Sequence, residues 1–188
     1  MTKVKVREKY RGLSPQELID KAYELGFNFE NKSFSCSQSG VAAIHELLEI
    51  DPLVVKVATS LSGGTAEQFM GTCGALSGGL MVIGYVFGRP AEKMSYEKEI
   101  KTNVEALFAS FPITQTLTDK FVAEYGSFLC PIIQRKLFGR TWWLRDEDEL
   151  VKFDAAGGHT DSDKCCRVAG NGAKWVMEIL LDQGVVEL

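Results

Sequence analysis

Apolar residues along this chain recur mostly at three- and four-residue intervals, the spacing of one face of an α-helix, and strict alternation is scarce. Ser14-Pro15-Gln16-Glu17 forms a capping box with proline at the first helical position. Ile19, Ala22, Tyr23 and Leu25 continue it as an apolar face, and Gly26 is expected to stop that helix. A second helix is predicted from near Ser35 through Val41, Ala42, Ile44, His45, Leu47 and Leu48. Asp51-Pro52 starts a third, with Leu53, Val54, Val57, Ala58 and Leu61 facing inward, that ends at Gly63-Gly64. The stretch 63–72 reads as a glycine-rich loop, and a helix follows from Cys73.

Ser95 is expected to open a helix through Ile100, Val104, Leu107 and Phe108, ended by Pro112, with another over 116–125. Cys130-Pro131 begins a short helix. The pattern weakens over 138–163, where Asp146 to Glu149 suits a solvated helical first turn and Gly157-Gly158 marks a loop. A last helix covers 165–181, with Val168, Ala169, Trp175, Val176, Ile179 and Leu180 at helical spacing. The reading is all-α: a single compact multi-helix domain over 1–188, with 1–12 loosely ordered.

Composition narrows the function. About 45% of the 188 residues are apolar and the formal net charge is −4, with no basic stripe to meet a nucleic acid. The most apolar stretch, 75–87, is shorter than the roughly 20 residues that span a bilayer, so membrane insertion is not expected. With no secretory pattern at the start, a cytoplasmic location is expected, where thiols stay reduced and a disulfide framework does not suit the five cysteines.

The placement of those cysteines is informative. Cys36, Cys73, Cys130, Cys165 and Cys166 all fall at predicted helix starts, where unpaired N–H groups and partial positive charge stabilise a thiolate and lower its pKa. Several such termini aimed at one point would suit a multiply anionic iron–sulfur cluster held by four thiolates. Gly74 and Gly78 cost stability in the helix that starts at Cys73, and with Gly71 and Ala75 they suggest that a cofactor, or simply another helix, comes close. Metal-free thiol–disulfide chemistry and a structural zinc site use the same residues, and both stay open. His159, in a polar loop six residues before Cys165, is a candidate to support the site, whereas His45 lies on a core-facing stripe and reads as structural. Trp142 and Trp143 read as core or dimer contacts.

The run Cys73-Gly74-Ala75-Leu76-Ser77-Gly78, with Cys36-Ser37 before it and the segments from Phe121 to Cys130 and from Cys165 to Leu180 after it, resembles the C_GCAxxG_C_C family of putative redox-active proteins. The resemblance runs from Cys36 to the C-terminus and implies Cys36, Cys73, Cys130 and Cys165 as the ligands, favouring Cys165 over Cys166, which is left as a spare thiol or alternative ligand. Split-Soret cytochrome c proteins are similar to this family and hold an iron–sulfur cluster beside haem. The present chain has no CxxCH element, so no haem is expected. The resemblance implies a redox protein working with a partner protein or a small-molecule oxidant or reductant. It leaves open whether the chain is an enzyme and whether it forms a homodimer through the glycine-rich helix.

Overall fold

The computed structural model describes residues 2–97 and 99–188. Its elements are α1 (Pro15–Ser33), α2 (Cys36–Leu47), α3 (Pro52–Val57), α4 (Gly74–Phe87), α5 (Ile100–Tyr125), α6 (Cys130–Phe138), α7 (Glu147–Ala155) and α8 (Cys165–Asp182). The strands among the described residues are β1 (Val4–Lys5) and β2 (Val186–Glu187), paired in parallel with Val4 opposite Val186. The fold is all-α, a single domain.

The centre is a stack of α1, α2, α4 and α8, brought close by small residues. A Cβ on Gly26 of α1 would lie 2.9 Å from the Ala169 carbonyl oxygen and 2.9 Å from the Ala173 Cβ of α8. A Cβ on Gly78 of α4 would lie 2.2 Å from the Ser37 carbonyl of α2. Outside this stack α5 lays Leu117, Phe121 and Tyr125 on α4 and α8, with Trp175 edge-on to Phe121 at 5.1 Å. A second apolar cluster of Phe69, Trp142, Leu144 and Phe153 joins α6 and α7 to the loop before α4, and Cys130 belongs to it.

The structure departs from the sequence reading at four helix boundaries. Gly26 does not end α1, because α8 sits against it: the helix runs two more turns and stops at Phe34, whose φ of 55° is left-handed. Pro112 lies inside one continuous α5. The carbonyl it leaves without an N–H belongs to Phe108, a residue 59% exposed, so solvent serves that turn and the helix continues. That helix starts at Ile100 rather than Ser95, whose N–H donates to Asn103 Oδ1; Lys98 lies outside the described residues. The third helix is short and passes into a 3-10 turn over Thr59–Leu61.

The amino-terminal segment expected to be loose is docked from Thr2 onward, Met1 lying outside the described residues. Thr2 N–H donates to the Val86 carbonyl, and Val4 and Val6 are each 2% exposed. Alternation of these two valines with lysines was the signal of a half-buried strand.

The close α1–α8 approach gives a direct stability test. Gly26→Val would place branched carbons against a backbone carbonyl that cannot move alone, so it is expected to destabilise the fold by about 1–3 kcal/mol despite valine's better helix propensity. Urea unfolding measures it, and a variant as stable as the parent would mean the two helices are further apart.

Candidate metal centre

Four helices begin at one cavity. Cys36 is the first residue of α2, Cys73 is the N-cap of α4, Cys130 is the first residue of α6, and Cys165 is the first residue of α8. All four line one cavity, together with Glu30, Gly63, Glu67, Gln134, Phe153 and His159. Local chemistry explains the convergence. The Cys130 N–H donates to the Gly71 carbonyl and the Cys73 N–H to the Phe128 carbonyl, each at 2.9 Å, so the starts of α4 and α6 are tied to each other.

Glycines make the room. A Cβ on Gly74 would lie 2.4 Å from the Cys36 sulfur, and one on Gly64 would lie 2.8 Å from the Cys130 Cβ. Gly71 packs its Cα face on the Gly64 carbonyl, while Gly78 and Ala75 meet α2 and α8, so these three serve the packing that carries Cys73. The loop before α4 is folded left-handed at Gly63 and Gly64 and also at Thr65, Ala66, Glu67 and Phe69, with φ between 47° and 80°. Such backbone costs about 1–2 kcal/mol for each non-glycine residue, which the surrounding structure must offset. Its product is a tight wrap that sets Gly63 and Glu67 on the cavity and aims the Gly63 N–H at the Cys36 sulfur, 3.4 Å away.

Cys166 faces elsewhere. It is fully buried, and its thiol donates to the His159 carbonyl at 3.1 Å. Cys165 turns to the cavity, where Gln134 Nε2 donates to its sulfur at 3.4 Å. His159 lies on the cavity wall, and burial lowers its pKa. His45 is remote, held by the Ile50 carbonyl and Arg7. Trp142 packs in the aromatic cluster and Trp143 is 40% exposed.

The acidity of the thiols runs opposite to the expectation. Helix starts do pull it down: the N–H groups of Ala75 and Leu76 act on Cys73, and Gly63 acts on Cys36. Burial outweighs them. It raises Cys73 to about 11, and it raises Cys36, Cys130 and Cys165 further, with neighbouring cysteines and, for Cys36 and Cys165, Glu30 adding to the rise. A thiolate here is disfavoured until a positive charge joins it. Among the described residues no three His, Cys, Asp or Glu side chains are set to hold a single metal ion.

The sequence reading missed two polar residues of the cavity. Gln134 sits among Ile132, Ile133 and Leu137, is 3% exposed, and its Oε1 has no partner. Glu30 is 2% exposed, accepts from the Ser39 hydroxyl at 3.1 Å, and burial pushes it up to about 8. A signal for Glu30 existed: Leu18, Ala22, Gly26 and Glu30 are the buried positions of α1 at four-residue steps, so the carboxylate falls on the core stripe. An α1 ended at Gly26 hides it.

No helix among the described residues is long and apolar enough to cross a membrane. No curated protein and no solved structure matches the chain. A family model does, over residues 34–179, the span that holds all four cavity cysteines. By that match the chain belongs to the C_GCAxxG_C_C family, described as putative redox-active protein.

Proposed function

We propose that Cys36, Cys73, Cys130 and Cys165 hold an iron–sulfur cluster and that the chain works in electron transfer or a small redox reaction. The observation that carries this reading is the convergence of four thiols, two of them buried and two half-buried, from four separate helix starts, on one cavity. When bound, such a cluster supplies a one-electron couple. The protein's part is to supply the ligands, donate hydrogen bonds to their sulfurs from Gly63 N–H and Gln134 Nε2, and exclude water with Phe69, Leu144 and Phe153.

The donor set fits the group. Soft thiolates suit iron–sulfur centres, and the cationic irons supply the positive charge that four mutually repelling sulfurs require. The glycines beside Cys36 and Cys130 leave space on the same cavity.

The two other readings draw less support. Thiol–disulfide exchange needs an accessible thiolate of lowered pKa, and these thiols are shifted upward by burial. A zinc ion, with zinc–sulfur distances of about 2.3 Å, requires four sulfurs drawn tightly around one point. A cluster interposes metal and sulfide between its ligands and takes them further apart, which suits a cavity where, among the described residues, no three His, Cys, Asp or Glu side chains are set around a single metal ion.

Purification without oxygen tests the proposal. Iron and acid-labile sulfide are expected in equal, integral ratio to the chain, with visible absorbance that bleaches on reduction. Stoichiometric zinc without iron would point to the structural site, and a colourless metal-free protein with a reversible disulfide would replace the cluster with thiol chemistry.

A further inference from the structure

Among the described residues Glu30 is the one buried carboxyl, and its surroundings lead outward rather than ending at the cavity. Its Oε2 takes the Ser39 hydroxyl. Its Oε1 lies 3.8 Å from His159 Nε2, just outside hydrogen-bond range, a gap that a small rotation of the imidazole closes. The other ring nitrogen of His159, Nδ1, is 3.3 Å from Asp154 Oδ1. Side-chain exposure rises along this line from 3% at Glu30 to 13% at His159 and 58% at Asp154, so the three groups join the cavity wall to solvent.

The histidine is set in place. Its ring is flanked by Phe34 at 4.6 Å and Phe153 at 5.1 Å, and its carbonyl is held by Asn31 Nδ2 at 2.7 Å and the Cys166 thiol. The ionisable groups that bear on Glu30 come from every neighbouring element: Cys36 from α2, Cys73 from the start of α4, Cys165 and Cys166 from α8, Glu67 from the left-handed loop, and His159. Of these His159 is the one that can carry positive charge. An electron added to a buried centre in such company raises the cost of a carboxylate beside it, and a proton offsets that cost.

We propose that Glu30, His159 and Asp154 form a proton relay, which delivers one proton from solvent to Glu30 Oε1 as a one-electron donor reduces the centre held by the four cysteines. The inference rests on the cluster reading above. The balance is closed: the donor loses one electron, the centre gains it, and the Glu30 carboxylate becomes a carboxylic acid. His159 takes the proton at Nδ1 from the side of Asp154 and gives one up at Nε2, so its own charge is unchanged after transfer. Glu30 and His159 act as proton-positioning residues.

The experiment is reduction of the iron-loaded protein at an electrode between pH 6 and 10, followed by visible absorbance and normalised to measured iron. In the parent the reduction equilibrium constant is expected to fall tenfold per pH unit over part of that range, about 59 mV for a one-electron step. Glu30→Gln is expected to flatten the profile. Redox-difference infrared spectra should show a protonated carboxyl band on reduction in the parent and none in Glu30→Gln. His159→Phe is expected to keep the equilibrium slope but make reduction slower and scan-rate dependent. A flat profile in an iron-containing parent, or a slope that survives Glu30→Gln, overturns the relay and leaves the cluster standing. Absence of iron from every preparation overturns the cluster reading and the relay with it.

Discussion

Cys165→Ser is expected to lose most of its iron, and Cys166→Ser to keep it, although the two residues are adjacent. The prediction follows from where each sulfur points. Both belong to the first turn of α8, but successive residues of a helix diverge by about 100°. Cys165 therefore presents its sulfur to the cavity beside Gln134, while Cys166 faces the loop carrying His159. A serine at 165 offers a hard hydroxyl oxygen that deprotonates far less readily than a thiol, a poor ligand where soft thiolates are wanted. A serine at 166 still donates to the His159 carbonyl, so the loop keeps its anchor. Iron per chain and visible absorbance after anaerobic purification separate the outcomes. Equal loss from both variants would mean that either cysteine ligates, and the assignment of one ligand and one buried structural thiol would fail.

The helix starts were readable because they are punctuated by local chemistry. Ser35, the glycines around Gly71, Pro131 and the break after Gly157-Gly158 each stop one element and begin another, and a cysteine sits at each start. Long-range effects were not readable. Gly26 looks like a stop until α8 is known to lie against it, and Pro112 looks like a break until the turn before it proves exposed. The thiol acidities show the same division. The sequence reveals the N–H groups at each cysteine and so predicts a downward shift. The upward shift depends on water exclusion and on other charges brought from distant elements, which no local pattern records. Glu30 joins both lessons: its stripe is local, but its role depends on what α1 packs against after Gly26.

Glu30→Gln is expected to stabilise the metal-free protein by several kcal/mol at pH 8 while changing it little at pH 5. Burial raises the Glu30 pKa in the folded chain from 4.5 to about 8, against the partial relief given by the Ser39 hydroxyl. A raised folded-state pKa contributes stability below the unfolded value and loses it as pH rises toward the folded one. Between these two pKa values the unfolded chain ionises freely and the native chain does not. Native stability therefore falls by about 1.4 kcal/mol per pH unit, close to 5 kcal/mol across the interval. Glutamine has nearly the same shape and does not titrate, so the difference between variant and parent should open over that interval and level off above pH 8. The cysteines and His159 titrate in both proteins and largely cancel from the difference. Urea unfolding of reduced, metal-free protein at pH 5, 6.5 and 8 measures the gap, and parallel stabilities at all three values would show that Glu30 ionises freely in the fold. A cost near 5 kcal/mol is large where the total stability of a domain is about 5–15 kcal/mol. The Ser39 hydroxyl and the Ser35 N–H offset only part of that cost. It is intelligible if the carboxyl is there to exchange a proton beside the cysteine cavity, the one task an amide cannot perform.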